Sequence, residues 1–135
     1  MAVREKCEFQ ANRVYFITFT LCEWQSVFES EKYSDLIYKW FDYQKENYGN
    51  KIHGYVIMPS HFHGLIFLSE KSPPLSKLIQ NAKRFLAYEI VKLLEQDENK
   101  KILSVFSKHA RTEKGAKYKV FEERYDANRL EMEKR

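Results

Sequence analysis

The sequence predicts an α+β domain in which two helices cover one face of an antiparallel sheet. Three observations lead to this prediction: runs of branched and aromatic residues, two segments with apolar residues at every third or fourth position, and turn residues at the junctions. The chain has 135 residues, of which 44% are hydrophobic, and this is enough apolar material for one core. We therefore expect a single domain.

The first strand and the first helix follow from residues 14–20 and from the segment after Ser30. Residues 14–20 read VYFITFT, a composition typical of a strand that is buried on at least one face. After Ser30 the apolar residues are spaced by threes and fours until Gly49-Asn50, a helix stop signal, which predicts an amphipathic helix of about four turns. Its apolar residues are Tyr33, Leu36, Ile37, Trp40, Phe41 and Tyr48.

A hairpin and a second helix follow. Residues 51–58 and 61–68 are β-type runs separated only by Pro59-Ser60, and so short a link predicts a tight antiparallel turn. Pro73-Pro74 then breaks the chain, and apolar residues at helical spacing continue to about Gln96. These residues are Leu75, Leu78, Ile79, Ala82, Leu86, Ile90, Leu93 and Leu94.

The end of the chain predicts less regular structure. Residues 118–121 suit an edge strand, whereas residues 122–135 are a charged tail that we interpret as a helix start or as disorder. We therefore divide the chain into a domain over residues 1–121 and a tail over residues 122–135. The order of strands and helices matches a ferredoxin-like (split βαβ) arrangement. The sheet face opposite the helices would then be open to a partner.

The distribution of charge along the chain is more informative than the net charge. The net charge of +4 is only mildly basic, but residues 100–119 hold seven basic residues against the single acid Glu113, a local net charge of +6. Such a run is either a solvated loop or a contact with phosphates, and both interpretations stay open. The apolar runs are too short to span a membrane, and no leader pattern precedes them. We expect a cytoplasmic protein without a membrane partner.

Two histidines, His61 and His63, are the strongest candidates for chemistry. Because side chains alternate along a strand, both would project from one face while Phe62 projects from the other. Two neighbouring imidazoles suit two ligands of one divalent ion, although such a pair alone is a weak motif. His53 shares the sequence parity of Tyr55 and could face the pair, but we favour a structural role for it. His109 lies in the basic run and is expected to be exposed.

The hairpin carries a resemblance to a known family. The run GYVIMPSHFHGLI, residues 54–66, resembles the signature of the single-tyrosine HUH transposases, in the IS200-like branch that includes the REP-associated tyrosine transposases. Ser60 stands where that family usually has asparagine, a mild departure because serine also suits a turn. Residues 15–20, 27–28, 75–80 and 121–126 resemble the family in the same order. The likeness therefore covers nearly the whole chain, and the hairpin is its specific part.

The resemblance implies a transposase that cleaves and rejoins single-stranded or hairpin DNA during transposition. His61 and His63 would hold Mg²⁺ or Mn²⁺ against the scissile phosphate, and a tyrosine would attack it to form a 5′-phosphotyrosine link. Some relatives dimerise with exchanged helices, so a homodimer is left open. The candidate phosphate contacts are Lys83, Arg84, Lys108, Arg111 and Lys117.

One departure concerns the nucleophile. In the family the tyrosine lies on a helix beyond the segment that residues 121–126 resemble, and the sequence ends at Arg135 without such a stretch. Tyr118 and Tyr125 are the nearest substitutes, but we expect both to be packing or surface residues. We therefore expect this chain to form no covalent adduct with DNA. Three explanations stay open: a shortened chain, a transposable element that has degenerated, and a domain that is retained for DNA binding.

Two other functions compete with catalysis of DNA cleavage. A non-catalytic module would bind hairpin or single-stranded DNA through the open face and the basic run, with a strong dependence on salt. A metal hydrolase using His61, His63 and His53 with bound water is the third hypothesis. It ranks last, because these strands offer no carboxylate partner.

Overall fold

Four antiparallel strands and three α-helices form the part of the chain that the computed structural model describes, residues 10–123 and 126–129. The sheet order is β2-β3-β1-β4, with every neighbouring pair antiparallel, which confirms the predicted ferredoxin-like fold. In chain order the elements are β1 (Arg13–Thr20), α1 (Glu31–Tyr48), β2 (Lys51–Met58), β3 (His61–Leu68), α2 (Leu75–Gln96), α3 (Lys100–Lys108) and β4 (Asp126–Arg129).

The core lies between the sheet and the helices α1 and α2. Along β3, Phe62, Gly64, Ile66 and Leu68 are buried, and each alternates with a residue that is only partly buried. The ring of Phe62 lies 6.4 Å from that of Trp40 on α1, so the buried residues face the helices. The alternate residues, which include both histidines, therefore project from the opposite side of the strand. We call that side the open face.

The first helix ends where the sequence predicts. Gly49 adopts the left-handed conformation, with φ of 69°, and its N–H donates to the carbonyl of Lys45 at 3.0 Å. The next residue, Asn50, is fully buried and accepts a hydrogen bond from the N–H of Ser69 at 2.8 Å. It also donates to the side chain of Gln44 at 2.9 Å. The amide of Asn50 thus ties the end of α1 to the end of β3.

The basic run contains a helix that the sequence analysis missed. Residues Lys100–Lys108 form α3, and the side-chain oxygen of Asn99 accepts a hydrogen bond from the N–H of Ile102 at 3.1 Å as an N-cap. Phe106, a residue of α3 itself, is fully buried. The apolar face of α3 is short and lies within a charged run, so its helical spacing is a weak local signal.

The fourth strand lies later in the chain than predicted. The expected strand over residues 118–121 was wrong: only Phe121 forms a bridge, with Leu21, while Val120 and Phe121 are buried in the core. The observed β4 is Asp126–Arg129, within the segment that the sequence analysis interpreted as a helix start or as disorder, and it pairs with β1. The N–H of Lys119 donates to the carbonyl of Phe106, so the 118–121 segment is tied to α3 beyond the end of the sheet.

None of the helices in the described ranges combines the length and the apolar composition that a membrane crossing requires.

Candidate functional site

The two histidines lie side by side on the open face. Their ring centroids are 5.0 Å apart and their planes meet at 80°, whereas Phe62 between them is fully buried on the helix side. The register places His61 opposite Thr20 and His63 opposite Thr18 on β1. The two rings therefore lie together on the inner strand β3, near the end of the sheet at which β3 begins.

His63 is held by two residues of β1. The hydroxyl oxygen of Thr18 lies 2.8 Å from Nδ1 of His63, and Thr18 is itself only 8% exposed. The ring of Phe16 stacks on the imidazole with centroids 5.5 Å apart and planes inclined by 15°. A hydrogen bond at one ring nitrogen fixes the orientation of a histidine and assigns the other, Nε2, to a ligand. Thr18 and Phe16 therefore fix the orientation of the His63 ring.

His61 has different neighbours. Its Nδ1 lies 3.2 Å from the hydroxyl oxygen of Ser60, and the indole ring of Trp24 meets it edge-on with centroids 5.3 Å apart. Burial lowers the pKa of His61 below its ordinary value of 6.5, and the neighbouring His63 lowers it further. A lowered pKa keeps the imidazole neutral near pH 7, and the neutral form is the one that binds a metal ion.

The lowered pKa of His61 gives a testable pH dependence. The unfolded chain binds a proton more readily at this position than the folded chain. The contribution of His61 to the free energy of unfolding is therefore fully present above pH 6.5, and it is lost as the pH falls through the folded pKa. We expect His61→Gln to reduce the slope of unfolding free energy against pH in this window, measured by urea denaturation. His53→Gln serves as the control, and an equal slope in His61→Gln and the parent would contradict the assignment.

The pair fits two ligands of a divalent ion. Within residues 10–123 and 126–129, no group of three or more histidine, cysteine, aspartate or glutamate side chains is arranged to hold a metal. Two imidazoles alone leave most of the coordination shell of Mg²⁺ or Mn²⁺ to oxygen ligands, which DNA phosphates and water provide. The remaining coordination positions of such an ion would be open to water or to a bound anion.

His53 does not face the pair. A β-bulge interrupts the pairing of β2 with β3 between Ile52 and Gly54, so parity along β2 changes at this point. Tyr55 packs against Phe41 of α1, whereas the ring of His53 lies 6.3 Å from that of Phe67, towards the other end of β3. Phe67 lies on the open face like the two histidines, so His53 is separated from the pair by its distance along β3.

The basic run borders the histidine end of the sheet. Cys22 donates from its N–H to the carbonyl of Val120 at 2.7 Å, so the residues after the run lie beside those that follow β1. His109, which is exposed as expected, lies 3.5 Å from the carboxylate of Glu23, next to Trp24. This contact brings the run close to the surroundings of His61.

The five predicted phosphate contacts do not form one cluster, although Lys83 and Arg111 both contact Glu123. Lys83 donates to the carbonyl oxygens of Glu122 and Glu123 at 2.8 and 3.3 Å, and burial lowers its pKa to about 8. Arg84 is exposed beside a groove of about 750 Å³ between α1 and α2, on the helix side of the sheet. The remaining three, Lys108, Arg111 and Lys117, are exposed in or next to the loop after α3.

Two of those three side chains already have partners. Arg111 forms ion pairs with Glu113 at 3.0 Å and with Glu123 at 2.6 Å. The ammonium group of Lys117 lies 5.6 Å from the ring centroid of Tyr118. Since exposed ion pairs contribute little free energy, Arg111 could exchange its carboxylates for phosphates at small cost.

The structure describes one of the two candidate nucleophiles. Tyr118 is partly buried and packs against the core. Tyr125 lies outside the described residues. Sequence reasoning also missed Thr18 and Trp24, since their contacts with the histidines join residues far apart in the chain and leave no local signal.

Among the comparisons with known proteins, only those with solved structures give matches, and these agree on the fold. No protein-family model and no curated protein matches the chain. Among solved structures, one of a REP-associated tyrosine transposase bound to a REP hairpin matches 93% of the chain with a TM-score of 0.60 and 14% identity. The chain spans 60% of the length of that protein.

A second solved structure belongs to a protein from Deinococcus radiodurans R1 that is assigned as a transposase. It matches 88% of the chain and 79% of its own length, with a TM-score of 0.59 and 13% identity. At these identities the likeness shows a shared fold. The descriptions of both structures agree with the family that the hairpin motif resembles.

Proposed function

We propose that the chain is the histidine-bearing domain of a single-tyrosine HUH transposase, which acts in the cytoplasm on single-stranded or hairpin DNA. The observation that carries the proposal is the pair of His61 and His63, side by side on the open face of a fold shared with a tyrosine transposase. The hairpin motif around them supports the same family. The reaction would be cleavage and strand transfer during transposition.

Some residues of the site would bind the metal ion, and others would position the residues that bind it. His61 and His63 would hold Mg²⁺ or Mn²⁺, while Thr18 and Phe16 fix the orientation of the second imidazole. When bound, such an ion acts as a Lewis acid on the oxygens of the scissile phosphate. The attacking group would be a tyrosine hydroxyl, and neither Tyr118 nor Tyr125 is assigned that role.

A non-catalytic DNA-binding module is the second candidate function. Two observations favour it: residues 10–123 and 126–129 contain no further metal-ligating side chain grouped with the histidines, and Tyr118 packs against the core. Such a module would keep the open face and the basic run, and it would bind DNA through phosphates without breaking a bond.

One experiment separates the two functions. End-labelled hairpin DNA with a single-stranded flank is incubated with the chain and Mn²⁺, and both bound and covalently attached DNA are measured. Salt-sensitive binding without a covalent adduct is the outcome expected of the non-catalytic module. An adduct that requires Mn²⁺ and His63 would instead establish catalysis. Binding that is absent or indifferent to salt would overturn both functions.

The same assay tests the basic run. Log affinity should fall linearly with log salt concentration, with a slope of about −0.7 for each phosphate contact to a single strand. The double variant Lys108→Ala/Lys117→Ala should flatten that slope by about 1.4, the value of two lost contacts. Lys77→Ala/Lys92→Ala removes the same charge from exposed positions on α2 and should leave the slope nearly unchanged.

A further inference from the structure

Trp24 is an exposed aromatic residue next to the histidine pair. It is 62% exposed, whereas the other tryptophan, Trp40, is 3% exposed in the core. The indole ring meets His61 edge-on, with the centroids 5.3 Å apart. Tryptophan is normally well buried, so an exposed one beside a cluster of candidate ligands points to a binding role.

The backbone holds Trp24 in an uncommon conformation. Both Glu23 and Trp24 have positive φ angles, 55° and 52°, in a 3₁₀ turn at Cys22–Trp24. Residues other than glycine rarely adopt this conformation, and it persists only where the surroundings enforce it. The turn therefore depends on contacts from outside itself.

Contacts with later parts of the chain enforce the turn. The N–H of Glu23 donates to the carboxylate of Glu122 at 2.9 Å, and the carboxylate of Glu23 lies 3.5 Å from the ring of His109. The N–H of Trp24 donates to the carbonyl of Leu21, also at 2.9 Å. The backbone that carries the indole ring is thus held in place by contacts with Glu122 and His109.

We infer that Trp24 is a stacking platform for an unpaired nucleobase whose phosphate lies at the histidine pair, an inference that rests on the proposed function. Trp24, His61 and His63 follow one another at 5.3 and 5.0 Å between ring centroids, which is the scale of a single nucleotide. An exposed indole face accepts any base, because every base has a π-face. The basic run beside it attracts the phosphate backbone.

Fluorescence and affinity together test the inference. Oligothymidylate should quench the emission of the exposed Trp24, and Trp24→Phe, which keeps only the buried Trp40, should lose this quenching. Trp24→Ala should raise the Kd for oligothymidylate about tenfold, equal to about 1.4 kcal/mol. The matched control is Tyr88→Ala, which removes an aromatic residue that is 67% exposed on the helix side and should leave the Kd unchanged.

A fully abasic strand of equal length separates stacking from indirect effects on His61. It keeps the phosphates and removes the bases, so Trp24→Ala and the parent should bind it with equal affinity. An equal loss of affinity for both strands would overturn the stacking role, as would an unchanged Kd for oligothymidylate. If the parent binds oligothymidylate with salt dependence and Trp24→Ala binds equally well, only this inference fails. If the parent binds neither strand, the proposed function fails with it.

Discussion

Replacing both histidines by alanine is expected to weaken Mn²⁺ binding in the presence of single-stranded DNA by at least about 100-fold. The loss of a group that only supports a metal ligand already costs about 10–100-fold in affinity, and His61 and His63 would be ligands themselves. Calorimetric titration of Mn²⁺ into the protein–DNA mixture measures the effect. DNA is included because the pair leaves room for phosphate oxygens in the coordination shell.

Two variants calibrate that result. Thr18→Val keeps the shape of the side chain but removes the hydroxyl next to Nδ1 of His63, and a loss of about tenfold is expected. His53→Ala removes a histidine that lies against Phe67, away from the pair, and Mn²⁺ binding should be unchanged. Mn²⁺ binding that survives the double variant, or that falls equally in His53→Ala, would exclude a metal site at the pair.

The largest effect on stability is expected from Phe62→Ala. Phe62 lies between the two histidines in sequence but is fully buried on the helix side of the sheet. Its ring centroid lies 5.0 Å from that of Phe19. Truncating a buried phenylalanine removes its transfer free energy and leaves a cavity, so we expect the free energy of unfolding to fall by about 3–5 kcal/mol. Urea denaturation followed by circular dichroism provides the measurement.

Leu65→Ala is the matched control on the same strand. Leu65 projects from the open face and is only partly buried, so its truncation should cost about 1 kcal/mol. The comparison tests which face of β3 carries the core. Equal losses for Phe62→Ala and Leu65→Ala would mean that the two faces are buried alike, which would remove the open face on which the proposed site depends.

Much of the fold could be predicted from local pattern. The hairpin strands β2 and β3 and the helices α1 and α2 match their predicted positions, because alternation and helical spacing are properties of neighbouring residues. The prediction failed for α3 and for β4. A short helix within a charged run and a four-residue edge strand owe their existence to what they pack or pair with, and the local sequence carries little of that information.

In the candidate site, too, local pattern predicted some features and tertiary contacts decided the others. Sequence by itself determined that His61 and His63 share one side of a strand, since that follows from the two-residue period of extended backbone. Only the tertiary structure decided that Thr18 and Trp24 contact the pair, that His53 lies against Phe67 away from it, and that Lys83 binds backbone carbonyls. These contacts join residues that strand pairing and chain reversal bring together, and the free energy that selects them comes from the whole packed domain.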